Sequence, residues 1–85
     1  MVNLRLAARH PGGMDMRKLV GRNVRRIRIE KGLTQEQLSE RAGVSQFYIS
    51  LLETGGRNPT VVSLWELAQA LGVSHVDLVM PDGEG

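Results

Sequence analysis

Side chains that commonly carry out catalysis are scarce in this sequence, and they do not converge. There is no cysteine, and the two histidines, His10 and His75, lie far apart along the chain. Asp77 follows His75 by two residues, a spacing that puts the two side chains on different faces of a helix. The sequence contains no Ser/His/Asp set, no spacing typical of metal ligands and no phosphate-binding glycine loop. It therefore predicts a protein that is not an enzyme and that has no cofactor, metal or evident small-molecule ligand.

The basic side chains are unevenly placed and indicate a different kind of chemistry. The formal net charge of the chain is only +2. Residues 1–31 contain nine lysines and arginines against two acids, a net charge of +7, whereas residues 32–85 carry −5. Such segregation can produce one face that binds a polyanion such as nucleic acid. It is equally compatible with a solvated basic helix that binds nothing, so the charge pattern leaves both interpretations open.

The length and composition indicate a single globular domain. The chain has 85 residues, of which 41% are hydrophobic and 24% are charged, as is typical of a folded domain rather than of a disordered tail. No apolar run approaches the roughly 20 residues that a bilayer span requires. Arginines interrupt the N-terminal segment where a secretory signal would need an apolar run. We therefore expect a cytoplasmic protein without a membrane partner.

The distribution of helical patterns divides the chain into three parts. Residues 1–14 show no helical period and include His10-Pro11-Gly12-Gly13, so we expect a flexible N-terminal arm there. Residues 15–80 are predicted to form the folded domain, and residues 81–85 a C-terminal tail. No segment alternates polar and apolar residues over the length of a strand. The expected fold class is therefore all-α, with five short helices.

Capping residues and glycine stops predict where the helices begin and end. Asp15 is expected to cap a first helix that runs to Lys31 and buries an apolar stripe formed by Met16, Val20, Val24 and Ile27. The predicted N-caps of the next four helices are Thr34, Ser45, Thr60 and Ser74. Thr34 and Ser74 each begin a capping-box pattern, completed by Gln37 and Asp77. The second helix is predicted to end at Gly43, the third at Glu53 before Gly55-Gly56, the fourth at Gly72 and the fifth at about Met80.

The segment from Thr34 to Gly55 carries the most specific pattern. Two short helices meet at Ala42-Gly43-Val44-Ser45. Gly43 can adopt the positive φ of a tight corner, Ala42 lets the helices approach each other, and Val44 fills the angle between them. This pattern is typical of a helix-turn-helix, in which the second helix enters the major groove of DNA while the first crosses the backbone.

These residues resemble those of λ-repressor/Cro-type helix-turn-helix proteins, from about Val20 to Met80. The motifs that carry the resemblance are Gly32-Leu33-Thr34-Gln35-Glu36-Gln37-Leu38, Ala42-Gly43-Val44-Ser45, Tyr48-Ile49-Ser50, Glu53-Thr54-Gly55, Arg57-Asn58-Pro59 and Leu67-Ala68-Gln69-Ala70-Leu71-Gly72-Val73. The resemblance implies a five-helix λ-repressor-like DNA-binding domain whose second and third helices form the helix-turn-helix. It also implies a sequence-specific transcriptional regulator that binds double-stranded DNA as a homodimer and represses by occupying its operator.

The resemblance also implies roles for individual residues. The candidates for contacts with base edges are Gln46, Phe47, Ser50 and Leu51. The candidates for phosphate contacts are Gln35, Tyr48, Arg57, Asn58 and Thr60, to which we add Arg22 because it lies on the basic face of the first helix. Gln46 fits adenine because its amide donates and accepts at once, and Gln35 lies at a helix N-terminus, which attracts phosphate. Tyr48 could instead pack beside the second helix.

Phe47 and Leu51 depart from the usual pattern of the family, in which polar or basic side chains are commoner at these positions. They lie four residues apart on the expected outer face of the third helix. Both could contact thymine methyl groups, or Leu51 could be turned partly inside. Alternatively, they form a protein-binding patch, which would make the chain an interaction module such as an antitoxin or an adaptor. The sequence leaves these alternatives open.

Two features are interpreted as structural. The resemblance implies an ion pair between Arg28 and Glu53 that would hold the third helix against the first, and losing either partner would leave the other charge partly desolvated. Trp65 is offset by one residue from the apolar stripe of the fourth helix. We expect its ring to pack at the edge of the core rather than to bind a ligand.

The last helix has more apolar residues than one buried stripe requires. Leu78 suffices for a stripe, yet Val76, Val79 and Met80 are apolar as well. The surplus predicts a homodimer interface near the C-terminus, with packing inside the monomer as the alternative.

Overall fold

The computed structural model describes residues 15–81, which form five α-helices and no strand. The helices are α1 (Met16–Glu30), α2 (Gln35–Ala42), α3 (Gln46–Glu53), α4 (Val61–Leu71) and α5 (His75–Val79). The predicted all-α fold class is confirmed. The arm predicted at residues 1–14 and residues 82–85 of the predicted tail lie outside the described residues. None of these five helices combines the length and apolar character needed to traverse a bilayer.

Each helix begins at a side chain that accepts a hydrogen bond from its first turn. The N-caps are Asp15, Thr34, Ser45, Thr60 and Ser74. At Thr34 the capping box is complete, because the Gln37 N–H donates to Thr34 Oγ1 at 3.0 Å and the Thr34 N–H donates to Gln37 Oε1 at 2.9 Å. The box predicted at Ser74 is wrong in its partner: Ser74 Oγ accepts from the N–H of Val76 at 3.1 Å. The Asp77 N–H donates instead to the Ser74 carbonyl oxygen at 2.9 Å, so the short helix α5 begins with a tighter turn.

The five helices enclose one apolar core. Its most deeply buried side chains come from every helix: Val24, Ile27, Leu38, Ile49, Leu52, Leu67, Leu71 and Leu78. α1 contacts α3 and α5, α2 contacts α3 and α4, and α4 contacts α5. Because helices of this length are marginal in isolation, these contacts rather than local propensity stabilise them.

The buried face of α1 is wider than the sequence predicted. Met16 was expected in the apolar stripe but is 47% exposed, whereas Leu19 is 1% exposed and Asn23 is fully buried. Leu19, Asn23 and Ile27 lie about one turn apart on the same side of the helix. α1 buries this second row of side chains because it has two neighbours, α3 and α5.

Asn23 connects α1 to the C-terminal end of the domain. Its Nδ2 donates to the carbonyl oxygens of Leu78 at 3.0 Å and of Met80 at 2.9 Å. Its Oδ1 accepts from Arg26 Nη2 at 3.2 Å. The amide therefore has partners at both ends, which removes the usual cost of burying a polar group. The same bonds hold α5, which at five residues is too short to be stable alone.

Gly21 sets the distance between α1 and α3. α1 passes so close to the carboxyl end of α3 that a Cβ atom at position 21 would collide with the Leu52 carbonyl oxygen and lie 2.9 Å from that of Glu53. Both obstacles are backbone atoms, which cannot rotate away. Glycine within a helix is less favourable than alanine by about 1 kcal/mol. Here the close packing of the two helices offsets that cost.

Replacing Gly21 by alanine is expected to destabilise the domain, although alanine is the better helix former. The added Cβ has to push α3 away from α1, and overpacking of this kind costs about 1–3 kcal/mol. Urea denaturation followed by circular dichroism measures the free energy of unfolding. Gly56→Ala is the matched control, because a Cβ there would make no contact shorter than 3.4 Å. A Gly21→Ala variant as stable as the wild type would contradict the close approach of the helices.

Candidate nucleic-acid interface

The corner between α2 and α3 has the geometry of a helix-turn-helix. Gly43 follows α2 with a φ of 73°, a left-handed conformation that residues with a side chain rarely adopt. The N–H groups of Gly43 and Val44 both donate to the Ser39 carbonyl oxygen, at 2.9 and 3.1 Å, and close α2. Ser45 then starts α3 by accepting from the Tyr48 N–H at 3.0 Å. Val44 packs against the core and fixes the corner to the domain.

α3 has one buried and one exposed face. Ile49 and Leu52 have no exposed surface, whereas Phe47 is 72% exposed. Phe47 precedes Ile49 by two residues, which places the two side chains about 200° apart around the helix axis. Gln46 is also exposed, and Ser50 is half-buried. The predicted base-reading residues Gln46 and Phe47 are therefore brought together on the outer surface of the first turn of α3.

Leu51 differs from Phe47 in its surroundings. Leu51 is half-buried, and its Cδ2 lies 3.5 Å from the place that a Cβ atom of Gly56 would occupy. The Leu51 side chain therefore leans toward the loop that follows α3. Of the two apolar side chains that the sequence placed on the outer face, Phe47 points outward and Leu51 is partly covered.

A buried ion pair joins the carboxyl end of α3 to α1. Arg28 Nε donates to Glu53 Oε2 at 2.6 Å, and Arg28 Nη2 donates to Glu53 Oε1 at 3.0 Å. The Arg28 and Glu53 side chains are only 12% and 3% exposed. Arg28 Nη1 also donates to the Leu33 carbonyl oxygen at 2.8 Å, in the loop between α1 and α2. One guanidinium therefore links α1, the following loop and α3.

Gln35, a predicted phosphate residue, belongs to the same network. It is the first residue of α2, and its Nε2 donates to Glu53 Oε1 at 3.1 Å. A glutamine amide has two N–H donors, so this bond orients the side chain without using all of its donors. The N-terminus of α2 is consequently tied to the end of α3 through Glu53.

The loop between α3 and α4 carries three predicted phosphate residues, Arg57, Asn58 and Thr60, and all three are exposed. The Arg57 guanidinium carbon lies 5.0 Å from the centre of the Tyr48 ring, within the range of a cation–π contact. Tyr48 is half-buried and packs against the core, so it gives Arg57 a fixed platform. Of the two alternatives for Tyr48, the structure shows packing inside the domain, and a direct phosphate contact of Tyr48 stays a prediction. Thr60 Oγ1 caps α4 by accepting from the Ser63 N–H at 3.0 Å.

α1 contributes basic side chains beside this loop. Lys18 packs its aliphatic stem over Gly55, since Lys18 Cγ lies 2.8 Å from the place that a Cβ atom there would occupy. Lys18 lies four residues before Arg22, a spacing that places both basic side chains on one face of α1. Arg22, the predicted phosphate residue on α1, is exposed. Between residues 15 and 81, no group of three or more His, Cys, Asp or Glu side chains is arranged to hold a metal ion.

The predicted dimer residues differ in exposure. Val76 is 45% exposed and Met80 is 50% exposed. Val79 is only half-buried and packs against the core. α5 therefore presents apolar surface mainly through Val76 and Met80.

α4 presents a larger apolar surface, which was not predicted from the sequence. Val61 is 83%, Val62 65% and Trp65 51% exposed, so the Trp65 ring, expected at the edge of the core, leaves about half of its surface open. The buried stripe of α4 contains Leu67 and Leu71. Val61, Val62 and Trp65 lie outside this buried stripe, and this excess of apolar residues in the sequence indicates an exposed apolar face on α4.

Comparisons with known proteins agree with this architecture. A family model of helix-turn-helix proteins matches residues 24–78. The chain is 68% identical over 71 residues to an uncharacterized HTH-type transcriptional regulator of Sinorhizobium fredii, covering 84% of this chain and 92% of the relative. The crystal structure of a hypothetical transcription factor from Neisseria is similar with a TM-score of 0.77 and 32% identity, covering 81% of this chain and 79% of the other. The restriction-modification controller protein C.AhdI of Aeromonas hydrophila is similar with a TM-score of 0.71 and 34% identity, covering 73% and 94%.

Replacing Glu53 by glutamine is expected to lower the free energy of unfolding by about 3 kcal/mol. Arg28 would keep its charge in a nearly buried site without a carboxylate partner, and a half-broken buried pair is costly. Denaturant unfolding followed by tryptophan fluorescence measures the loss. Glu40→Gln, at an exposed position of α2, is the matched control and should change the stability by less than about 0.5 kcal/mol. Equal effects of the two substitutions would show that the ion pair does not hold α3.

Proposed function

The chain belongs to the λ-repressor/Cro-type helix-turn-helix family and is a DNA-binding transcriptional regulator, and from this premise we propose that it binds a specific operator as a homodimer and represses transcription by occupying it. The observation that carries the proposal is the first turn of α3. There Gln46 and Phe47 are exposed while the opposite side of the helix is fully buried. A helix presented in this way can enter the major groove of duplex DNA.

Base reading is assigned to the outer face of α3. Gln46 can donate to and accept from the N6 and N7 atoms of adenine. Phe47 and the partly covered Leu51 offer apolar surface, and Ser50 is small enough to let the helix lie deep in the groove. The side-chain directions support Gln46 and Phe47 as the first residues to meet the bases.

Phosphate binding is assigned to groups on both sides of α3. On one side, Gln35 lies at the N-terminus of α2, where backbone N–H groups and the helix dipole attract anions. On the other side, Arg57 stacks on Tyr48, next to Asn58 and the N-terminus of α4 at Thr60. Arg22 adds a positive charge from α1. Contacts of this kind supply most of the affinity and fix the orientation of the protein on the duplex.

We assign dimer formation to α4 and α5, which contact each other. A stable interface usually removes about 800 Å² of surface from each partner, which calls for more than the predicted residues Val76, Val79 and Met80. The exposed Val61, Val62 and Trp65 side chains on α4 offer additional apolar surface. A two-fold dimer would read two half-sites on one face of the DNA.

The repressive mechanism we propose is steric. A dimer that covers its operator excludes other proteins from the same stretch of DNA, and this action needs no catalysis by the chain. We propose that the protein is not an enzyme, in keeping with its family of DNA-binding regulators. We also propose that it acts in the cytoplasm, in contact with its operator DNA.

Replacing Arg57 by alanine is expected to weaken binding to all duplex sequences by a similar factor. Arg57 is assigned to a phosphate, which is present in every sequence, so specificity should not change. The slope of log K against log salt concentration should become shallower by about two, because each protomer of the dimer loses one phosphate contact. Fluorescence anisotropy with labelled duplexes over a salt series measures both quantities.

Arg25→Gln is the matched control for this experiment. Arg25 is exposed on α1 and has no assigned phosphate. Its replacement should leave the salt slope nearly unchanged. A loss of specificity in Arg57→Ala, or an unchanged salt slope, would contradict the assignment of Arg57.

Replacing Val76 by glutamate is expected to shift the protein from dimer to monomer. The charge would have to be buried in the proposed interface, whereas the fold should tolerate it because an acidic side chain is favourable in the first turn of a helix. Sedimentation velocity over a concentration series measures the shift. Ile29→Glu, at a 55% exposed position of α1, is the control and should leave the dimer intact. Identical sedimentation of the two variants and wild type would contradict an interface on α5.

A further inference from the structure

Phe47 occupies an unusual position for an aromatic side chain. It is 72% exposed, on the outer side of α3 and about 200° around the axis from the fully buried Ile49. The neighbouring side chains make contacts within the protein, because the Tyr48 ring lies against Arg57 and Leu51 lies near Gly56. Phe47 is therefore the outermost apolar group on the first turn of the helix. An exposed ring at this place calls for an apolar partner in the bound state.

We propose that Phe47 recognises the 5-methyl group of a thymine, so that each half-site contains a thymine beside the base pair that Gln46 meets. This inference rests on the proposed DNA-binding function and names the group that the site selects. A phenyl ring has no donor for a phosphate and accepts only a weak N–H···π contact from a base amino group. The thymine methyl is the apolar group that base edges present in the major groove.

The direction of the Phe47 side chain supports this partner. When the buried side of α3 faces the protein core, the residues on the opposite side face the floor of the groove, where the base edges lie. Gln46, the preceding residue, is exposed on the same turn. One helical turn can therefore combine a polar contact with adenine and an apolar contact with thymine. The two contacts together predict an A·T-containing step in each half-site.

The expected size of the effect is modest and measurable. Burying one methyl group against the ring should change the dissociation constant about three- to fivefold. If two half-sites contribute, the effects multiply to about tenfold or more. A preference of this size favours thymine over cytosine or uracil at one position without determining the total affinity.

The test separates the methyl group from every other property of the base. The wild-type protein is used to select binding sites from a random pool of duplex DNA. Each thymine in the selected site is then replaced singly by deoxyuridine, which keeps the pairing and the O4 acceptor and lacks only the methyl group. Fluorescence anisotropy at one salt concentration compares the affinities. We expect a three- to fivefold loss, by the methyl-burial value of about 0.8 kcal/mol, at one thymine per half-site.

Phe47→Ala should bind the thymine and deoxyuridine duplexes equally, because the ring that detects the methyl group is gone. As Phe47 is largely exposed, the variant should unfold at the same denaturant concentration as the wild type. Ile29→Ala removes an exposed apolar side chain from α1 and is the matched control, which should keep the full preference for thymine.

Three outcomes would overturn the inference. One is a wild-type protein that does not distinguish deoxyuridine from thymine at any position. Another is a Phe47→Ala variant that retains the wild-type preference. The third is a variant with unchanged affinity for every duplex, which would assign the ring to a protein partner instead. Failure of the wild type to bind any duplex at low salt would contradict the proposed function itself and is therefore distinguishable.

Discussion

The contact between α1 and the carboxyl end of α3 is the constraint on which the rest of the interface depends. Gly21 lets the two helices touch through backbone atoms, and the Arg28–Glu53 pair holds them at that distance. Gln35 binds the same carboxylate, so the N-terminus of α2 takes its position from it. A buried ion pair of this kind contributes little net stability. Its importance here is geometric, because one carboxylate fixes the relative positions of the groups assigned to bases and to phosphates.

The side chains of the candidate interface differ in how many contacts they make within the protein. Groups assigned to phosphates are held in advance, Gln35 by Glu53 and Arg57 by the Tyr48 ring. Such preorganisation lowers the entropy lost on binding. Phe47, in contrast, is largely exposed. The groups assigned to phosphates thus have partners within the protein before DNA binds, whereas the ring assigned to base reading makes few contacts there.

The sequence predicted the features that depend on neighbouring residues. The five helices, their N-caps and the capping box at Thr34 follow from contacts within four residues, so a local pattern is sufficient to find them. Among features that depend on distant parts of the chain, the Arg28–Glu53 pair followed from the family resemblance, whereas the roles of Gly21 and Asn23 were missed. From the sequence, Gly21 only weakens its helix, because its contact with α3 depends on the tertiary fold. Asn23 donates to carbonyl groups that lie 55 and 57 residues later in the chain. The exposed apolar face of α4, which includes Trp65, was not predicted, because which sides of α4 are covered depends on how the other helices pack against it. The roles of Gln46 and Phe47 remain predictions, since both depend on the groove that the helix enters.

The bonds of Asn23 have a consequence for synthesis of the domain on the ribosome. Its buried amide finds its two carbonyl acceptors only at residues 78 and 80, and Leu78 supplies a fully buried side chain to the core. A nascent chain that ends before these residues has an unsatisfied polar group in α1 and an open apolar gap beside it. The faces of α1 and α4 that contact the last helix consequently reach their final packing only when translation has passed it.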